Sequence, residues 1–474
     1  MVDLTRTFSR EDQSRFAELS GDVNPIHVDP VWALANFPGE LVVHGVHTLL
    51  WVLDCTLAAA GGGRLAAIHA TFVKPVLVGD VVTAAVRDEG RLLTLSVGGQ
   101  PVLVVRARRS PEAVPDALTS PSNRQLRTAP RIRIPEELAG VTGDVAPSPQ
   151  ARGLTGMFPA LSAAIGEIAM IGLSGLSVLV GMDCPGLRGM LSSIDVSLVG
   201  GRTAGHLAFA VRRYIAAISL VEMDVEGLGV IGHVAAFAGR EYAPPSDHAI
   251  RAAVRPGEFK GASPLIVGAS SGLGAVTARL LAAGGAEPVL TWHRTPGDLE
   301  SVRASVRDLG GTSREVRLDA TAPREGVATL QRAGWSGAQM YFFATPRIFR
   351  RRLAAYSPQD FRTFFSVYVE GFLELVEGLQ APHAESPLHC FYPSSIALEE
   401  RTGDLLEYGM AKLAGEYLCA TLTQKHRTLS ITVVRLPRID TRQTQAFARA
   451  AAASAEQTMA PIIRAVQSAK TEHA

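Results

Sequence analysis

The chain has 474 residues, too many for one ordinary core, and its length alone points to about three domains. Apolar residues make up 47% and charged residues 19%, enough burial to drive folding and to exclude a disordered chain. A formal charge of +1 offers no global field for nucleic acid or an anionic membrane, so neither is an expected partner.

Four scattered cysteines (Cys55, Cys184, Cys390, Cys419) form no CxxC pair and no metal spacing. They read as reduced core thiols in a cytoplasmic protein, and no metal is expected. Residues 1–16 are polar and mixed in charge, unlike a secretory signal.

Along the chain, a polar-capped helical stretch precedes an apolar helix at 44–60. Alternating or apolar runs at 66–76, 80–88, 91–98 and 101–109 then read as antiparallel strands. A helix followed by consecutive strands implies an α+β layer, with one sheet wrapped on the helix. Prolines 111, 115, 121, 130, 135, 147 and 149 mark 111–149 as a linker. The helix-then-strands order returns more faintly over 150–245, with an apolar helix at 158–172 and strands near 192–200, 205–214, 218–227 and 231–239. Residues 161–182 are long and apolar enough to span a bilayer. Glu167, four glycines and the lack of basic or aromatic flanks make them a buried core helix instead. A second linker covers 246–262, after Pro244 and Pro245. From 263 to 474 strands alternate with helices, as in a doubly wound parallel sheet, with strands at 263–271, 288–293, 337–345, 386–395 and 429–437.

Two motifs carry chemistry. The first runs Ser20-Gly21-Asp22-Val23-Asn24-Pro25-Ile26-His27-Val28-Asp29-Pro30, followed by Val43-His44-Gly45 at the start of the apolar helix. Taken singly, Asp22 could cap a helix and His27 could be a surface residue. Together, a carboxylate and an imidazole five residues apart, separated by an Asn-Pro turn, can converge on one water. Free N–H groups at Gly45 can receive an oxyanion. This string resembles the MaoC-like, (R)-specific enoyl-thioester hydratases of the hot-dog fold over about residues 8–108. The resemblance implies that Asp22 and His27 are the catalytic pair and Gly45 the oxyanion donor, with His44, His47 and Asp29 orienting or capping. The middle segment has no Asp/His pair matching that motif. Gly181-Met182-Asp183-Cys184-Pro185-Gly186 resembles hot-dog acyl-binding sequences, so 150–245 is expected to be a degenerate second hot-dog that shapes the acyl pocket. Ser174 is no nucleophile elbow, because Leu176 stands where a second glycine is needed.

The second motif is Gly268-Ala269-Ser270-Ser271-Gly272-Leu273-Gly274, between an apolar strand and a helix, where a pyrophosphate can approach the backbone. The next strand ends in Arg294 rather than an acidic residue, which favours NADPH over NADH. Tyr408 and Lys412 stand one helical turn apart, so the ammonium can stabilise the phenolate. Ser395 lies thirteen residues before Tyr408 at a strand end. Together these resemble the short-chain dehydrogenase/reductase family over about residues 263–442. The resemblance implies Tyr408 as proton donor, Lys412 as ribose binder and phenol tuner, Ser395 as carbonyl anchor and Asp319 as adenine contact. Three features depart from that family's pattern. Phe342-Phe343-Ala344-Thr345 replaces an N-N-A-G element, Tyr368 replaces the relay asparagine, and the usual final strand is missing after Thr441. Arg347, Arg350, Arg351 and Arg352 could dock an acyl-carrier protein or a coenzyme A phosphate, or simply form a solvated face.

The sequence thus predicts an α+β hot-dog, doubled, at 1–110 and 150–245, joined to an α/β Rossmann domain with a doubly wound parallel sheet at 263–474. The expected function combines NADPH-dependent 3-oxoacyl reduction with reversible (R)-3-hydroxyacyl dehydration, on acyl-CoA or acyl-carrier-protein thioesters, in a homo-oligomer. Two alternatives stand beside it: a hydratase with a nucleotide-binding scaffold, and a non-catalytic acyl-carrier-binding component.

Overall fold

The computed structural model describes residues 4–36, 38–110, 117–119, 124–294, 296–348, 356–381, 385–401, 405–439, 441 and 453–468. They form two compact units, one running to Glu241 and the other starting at Tyr242.

In the first unit, two apolar helices are each wrapped by antiparallel strands. Helix α1 (Gly45–Ala59) has ten buried residues, so its core contacts surround it almost fully. Helix α2 (Glu167–Val178) is buried from Ala169 to Val178 and continues as a wider π-helical stretch, Leu179–Asp183. Around them lies one ten-stranded sheet. Its spatial order is Leu4–Thr7, Val81–Arg87, Leu92–Val97, Gln100–Ser110, Arg64–Phe72, Gly189–Leu198, Val230–Ala238, Leu220–Gly227, Leu207–Ile215 and Thr142–Val145. The strand at Leu4–Thr7 lies within the opening residues, where no strand was expected. The two halves meet where Arg64–Phe72 pairs antiparallel with Gly189–Leu198, with Ile68 opposite Val196. Their inward residues share one apolar core, in which Leu49, Leu53, Ile68 and Leu103 join Leu173, Leu176, Ile194 and Val234.

The stretch 111–149, expected as a linker, takes part in this architecture. Ala117–Thr119 pairs with Gly201–Thr203, and Thr142–Val145 closes the sheet edge against Leu207–Ile215. Prolines remove donors only at their own positions, and a short edge strand needs few. The apolar stretch 161–182 breaks at Gly166: Pro159–Ile165 and Glu167–Asp183 meet at a bend of 111°. No single described helix is long and apolar enough to cross a membrane.

The second unit has six parallel strands, ordered Arg314–Arg317, Val289–Trp292, Leu265–Val267, Gln339–Phe342, Leu388–Ser395 and Leu429–Leu436. Leu265 and Val267 face one apolar cluster with Val327 and Phe372, whereas Ile266 faces another with Leu280 and Ile463. Alternation with period two therefore buries both faces of the sheet. Among the described residues no strand follows Leu436 in this sheet. Within the stretch expected as a second linker, Asp247–Ala253 forms a helix that buries Ile250 in this unit.

Candidate active sites

The helix Arg10–Ser20 ends on Gly21, whose φ of 89° turns the chain sharply toward Asp22. Asn24 then caps the short Pro25–Val28 helix by accepting from the Ile26 N–H, which aims His27 back at Asp22. His27 donates from Nδ1 to the Val42 carbonyl at 2.7 Å, so Nε2 keeps its lone pair. That Nε2 stands 4.0 Å from Asp22 Oδ2. The gap is too long for a direct bond and suits one water bonded to both.

Both groups are desolvated. Burial raises the Asp22 pKa above its usual value, opposed by His27, by Ser177 and by the Asn24 N–H. Burial likewise lowers His27 below the usual imidazole value, against the pull of Asp22. A carboxylate made more basic and an imidazole kept neutral are both equipped to accept a proton from water.

The other candidates of this motif fall around the pair. Gly45 opens α1, whose N-terminus has no side-chain cap, so its first N–H groups are free for an incoming oxygen. A Cβ at Gly45 would come within 3.0 Å of the Phe72 ring, so the position is closely walled. His44 Nδ1 lies 2.9 Å from Gln13 Oε1, and its Nε2 lies 3.0 Å from the Asp22 carbonyl. Its ring also stacks on His27 at 3.8 Å, so it orients the pair. Asp29 caps Pro30–Ala35. His47 stacks on Phe16, and burial drives its pKa down to about 3; it is a neutral packing residue. Asp22, His27 and His44 offer ligand atoms within 4.8 Å of one another, close enough to hold a cation. With the His27 Nδ1–H committed to Val42 and His44 Nε2 turned to the Asp22 carbonyl, only Asp22 Oδ2 and His27 Nε2 face a common point.

Sequence reasoning missed the contribution of the middle segment. Ser177, on α2, donates to Asp22 Oδ2 at 2.6 Å. The Asn24 amide donates to the Gly181 carbonyl at 2.6 Å. A Cβ at Gly181 would lie 2.4 Å from Asp22 Oδ1, so only glycine fits against the carboxylate. Next along the chain, Asp183 is held by Arg127 at 2.7 Å and Arg133 at 2.8 Å. Burial opposes its charge, but those guanidiniums keep its carboxyl below the ordinary range. The half without a dyad therefore builds the wall behind the dyad. The only signal available was a run of small residues in an apolar helix, Gly172, Ser174, Gly175, Ser177 and Gly181.

In the second unit, backbone closes in on two glycines of the turn at 268–274. A Cβ at Gly268, where φ is 84°, would sit 2.7 Å from the Ala344 nitrogen, and one at Gly274 would sit 2.1 Å from the Gly268 carbonyl oxygen. Gly272 opens helix α3 (Gly272–Ala283) onto free space, next to Ser270 and Leu273. Ser271 precedes the helix without a side-chain cap bond, leaving the first N–H groups for an anion. Arg294 is exposed at the end of Val289–Trp292. Asp319 is engaged by His293 at 3.1 Å and by the Thr321 hydroxyl at 2.7 Å.

Tyr408 and Lys412 sit on helix α4 (Leu406–Lys425), with the Ser395 hydroxyl beside Tyr408. Among the described residues no hydrogen bond joins Lys412 to the Tyr408 phenol that it was expected to tune. Burial raises the Tyr408 pKa, with only the Ser395 hydroxyl opposing it. Lys412 Nζ instead donates to the Pro393 carbonyl at 2.7 Å and lies 3.7 Å from the Tyr368 ring centre, against 5.9 Å for Tyr408. The aromatic face at Tyr368 draws the ammonium aside. Burial also lowers Lys412 itself to about 7. The Tyr368 and Thr345 hydroxyls bond to each other, which ties two of the family departures into one contact. Arg350, Arg351 and Arg352 lie outside the described residues; Arg347 is half-buried.

Comparison with known proteins bears on the N-terminal motif. Residues 2–97 match the MaoC like domain family. The chain is 39% identical over 83 residues to 3-hydroxyacyl-thioester dehydratase Y of Mycobacterium tuberculosis, covering 16% of this chain and 28% of that protein. It is 32% identical over 130 residues to 3-hydroxybutyryl-CoA dehydratase of Methylorubrum extorquens, covering 24% of this chain and 83% of that protein. A 3-oxoacyl (acyl-carrier-protein) reductase from Agrobacterium tumefaciens, solved with NADP bound, aligns with a TM-score of 0.36 at 20% identity, over 39% of this chain and 73% of that one. With a complete dyad motif and a relative matched over most of its length, the chain belongs to the MaoC-like dehydratase family.

Proposed function

We propose that the first unit interconverts trans-2-enoyl and (R)-3-hydroxyacyl thioesters, and that the second unit interconverts 3-hydroxyacyl and 3-oxoacyl thioesters with NADPH. The observation that carries the first half is the 4.0 Å gap between Asp22 Oδ2 and His27 Nε2, beside the uncapped start of α1. A water held by both loses a proton to the pair as its oxygen adds to C3, and the pair returns that proton to C2. The thioester oxygen, which gains charge meanwhile, is held by the Gly45 N–H. The reading treats residues 1–110 and 150–245 as two hot-dog layers, the second degenerate, and 263–474 as a doubly wound Rossmann domain. Coupling two consecutive reactions in one chain raises the local concentration of the shared intermediate.

For the second unit, the cradle around Gly268, Gly272 and Gly274 fits a pyrophosphate, and the exposed Arg294 suits a 2′-phosphate. Bound there, NADPH would supply hydride to a 3-oxo group. Ser395 would hold that group's oxygen and Tyr408 would give it a proton. A second reading keeps this unit as a nucleotide-binding scaffold, and the displaced Lys412 favours it. Four exposed apolar residues on α4, Leu406, Met410, Leu413 and Tyr417, repeat every three to four positions and support a homo-oligomer.

The test follows enoyl absorbance and NADPH together, with enoyl-CoA, enoyl-carrier-protein and 3-oxoacyl thioesters. Hydration lost in Asp22→Asn and His27→Ala supports the first assignment; hydration unchanged in both removes it. NADPH oxidation lost in Tyr408→Phe supports the second. Wild-type protein that binds NADPH but oxidises it on none of these substrates leaves the scaffold reading.

A further inference from the structure

The outer face of the first unit's sheet carries a row of side chains across six paired strands. In register these are Asp224, His233, Asp195, His69, Arg106 and Leu92. At one end the charges are matched: Asp224 lies 2.7 Å from His233, and Asp195 lies 3.5 Å from His69. Arg213 and Glu222 form a two-bond pair nearby. The other end is unmatched. Arg91, Arg106 and Arg108 converge there, and none of their guanidiniums has a hydrogen bond or ion pair among the described residues. Arg109, one residue further along the strand, is turned away from them toward the Gly62 carbonyl and Gly90. They line a groove of about 470 Å³ whose floor includes Ala67 and Leu92. Asp88 stands at its rim, and Asp195 is turned toward His69.

Like charges close together repel, so three arginines around one groove are costly without a counter-charge. A guanidinium fork matches phosphate oxygens two at a time, and its flat face stacks on planar rings. The groove's size is that of a small-molecule site. Strand alternation places it across the sheet from Asp22 and His27, because Ile68 and Ala70 on the same strand point into the core around α1.

We propose that this groove binds a small molecule carrying two or more phosphates, held by Arg91, Arg106 and Arg108. Such phosphates could belong to the coenzyme A end of a thioester substrate or to a separate nucleotide-like ligand. The site does not depend on the hydratase reading.

Inorganic pyrophosphate titrated calorimetrically into the full chain, in the wild type and in a Gly268→Ala background that blocks the glycine turn of the second unit, tests the proposal. Arg106→Ala/Arg108→Ala is expected to weaken binding at least about tenfold, since each lost charge-assisted contact is a large fraction of a weak affinity. Arg212→Ala/Arg213→Ala, with the same change in net charge, should leave it within about twofold by the distance-screening of exposed charges. Arg106→Lys/Arg108→Lys, which keeps the charge, should fall between. Equal affinity in wild type and Arg106→Ala/Arg108→Ala overturns the proposal, as does an equal loss in the Arg212/Arg213 control. Hydration kinetics separate the two sources. A KM raised for enoyl-CoA but not for a phosphate-free enoyl-pantetheine thioester assigns the groove to the substrate's own phosphates. Lost pyrophosphate binding with neither KM moved assigns it to a separate ligand. Only this kinetic arm uses the hydratase reading, so absent hydration would leave the calorimetric result intact.

Discussion

Asp22→Asn should abolish hydration and at the same time make the first unit more stable. The carboxylate is 1% exposed, and burial raises its pKa, so holding it ionised at neutral pH costs folding free energy. Asparagine has the same shape and can keep both contacts, accepting from the Asn24 N–H and donating to the Ser177 oxygen. Removing the buried charge should therefore gain about 1–2 kcal/mol, the usual scale for relieving a strained catalytic group. For a unit of roughly 240 residues that is about 2–8 °C in Tm. The loss of a group that accepts water's proton should cost about 10²–10⁴-fold in rate. The pH dependence has a definite sign. Below the unfolded value of 3.8 both states are protonated and the cost vanishes; above the raised folded value it is complete. The Tm advantage of the variant should thus be largest above the raised folded value and shrink as pH falls toward 3.8. Differential scanning calorimetry across that range, with enoyl absorbance at pH 7, checks both halves. A variant that is less stable at pH 7, or that still hydrates, refutes the reasoning.

Ser177→Ala removes a bond worth about 1.5–3 kcal/mol to the Asp22 carboxylate and should slow hydration about 10–100-fold. Ser174→Ala, which loses only a bond to the Ile171 carbonyl, should hydrate normally, and steady-state rates compare the two. Gly181→Ala forces a methyl group to within 2.4 Å of Asp22 Oδ1, so hydration should fall at least tenfold by the same scale, and thermal unfolding shows whether the fold survives. Lys412→Met should stabilise the second unit by about 1–2 kcal/mol at and below pH 7, since a buried ammonium is replaced by an apolar chain of similar volume. Between about 7 and 10.5 the unfolded chain holds a proton that the folded Lys412 has lost, so wild-type stability rises with pH and the variant's advantage closes. Urea unfolding at pH 6.5 and pH 10 measures that difference.

What the sequence could reveal depended on how far apart the cooperating residues lie. Asp22 and His27 were legible because five residues and one Asn-Pro turn hold them together, so their geometry is local. The glycine turn at 268–274 was legible for the same reason. Ser177 and Gly181 were not, because they reach Asp22 from about 155 positions away and carry no chemistry of their own. One is a single hydroxyl and the other an absence of side chain, and both resemble ordinary packing residues in an apolar helix. Thr142–Val145 was hidden differently: Thr-Gly-Asp-Val has no strand pattern, and its extension comes from the open edge of Leu207–Ile215. In the second unit, Tyr368 stood out as a departure, yet its effect did not. Only the fold shows that its ring face lies 3.7 Å from Lys412 Nζ and competes with Tyr408 for the ammonium. A half without an Asp/His dyad can therefore remain part of a candidate site, while a motif that is complete in sequence can have one of its side chains engaged elsewhere. Both follow from the same physics: a buried charge is governed by whatever surrounds it in space, and most of those neighbours are distant in the chain.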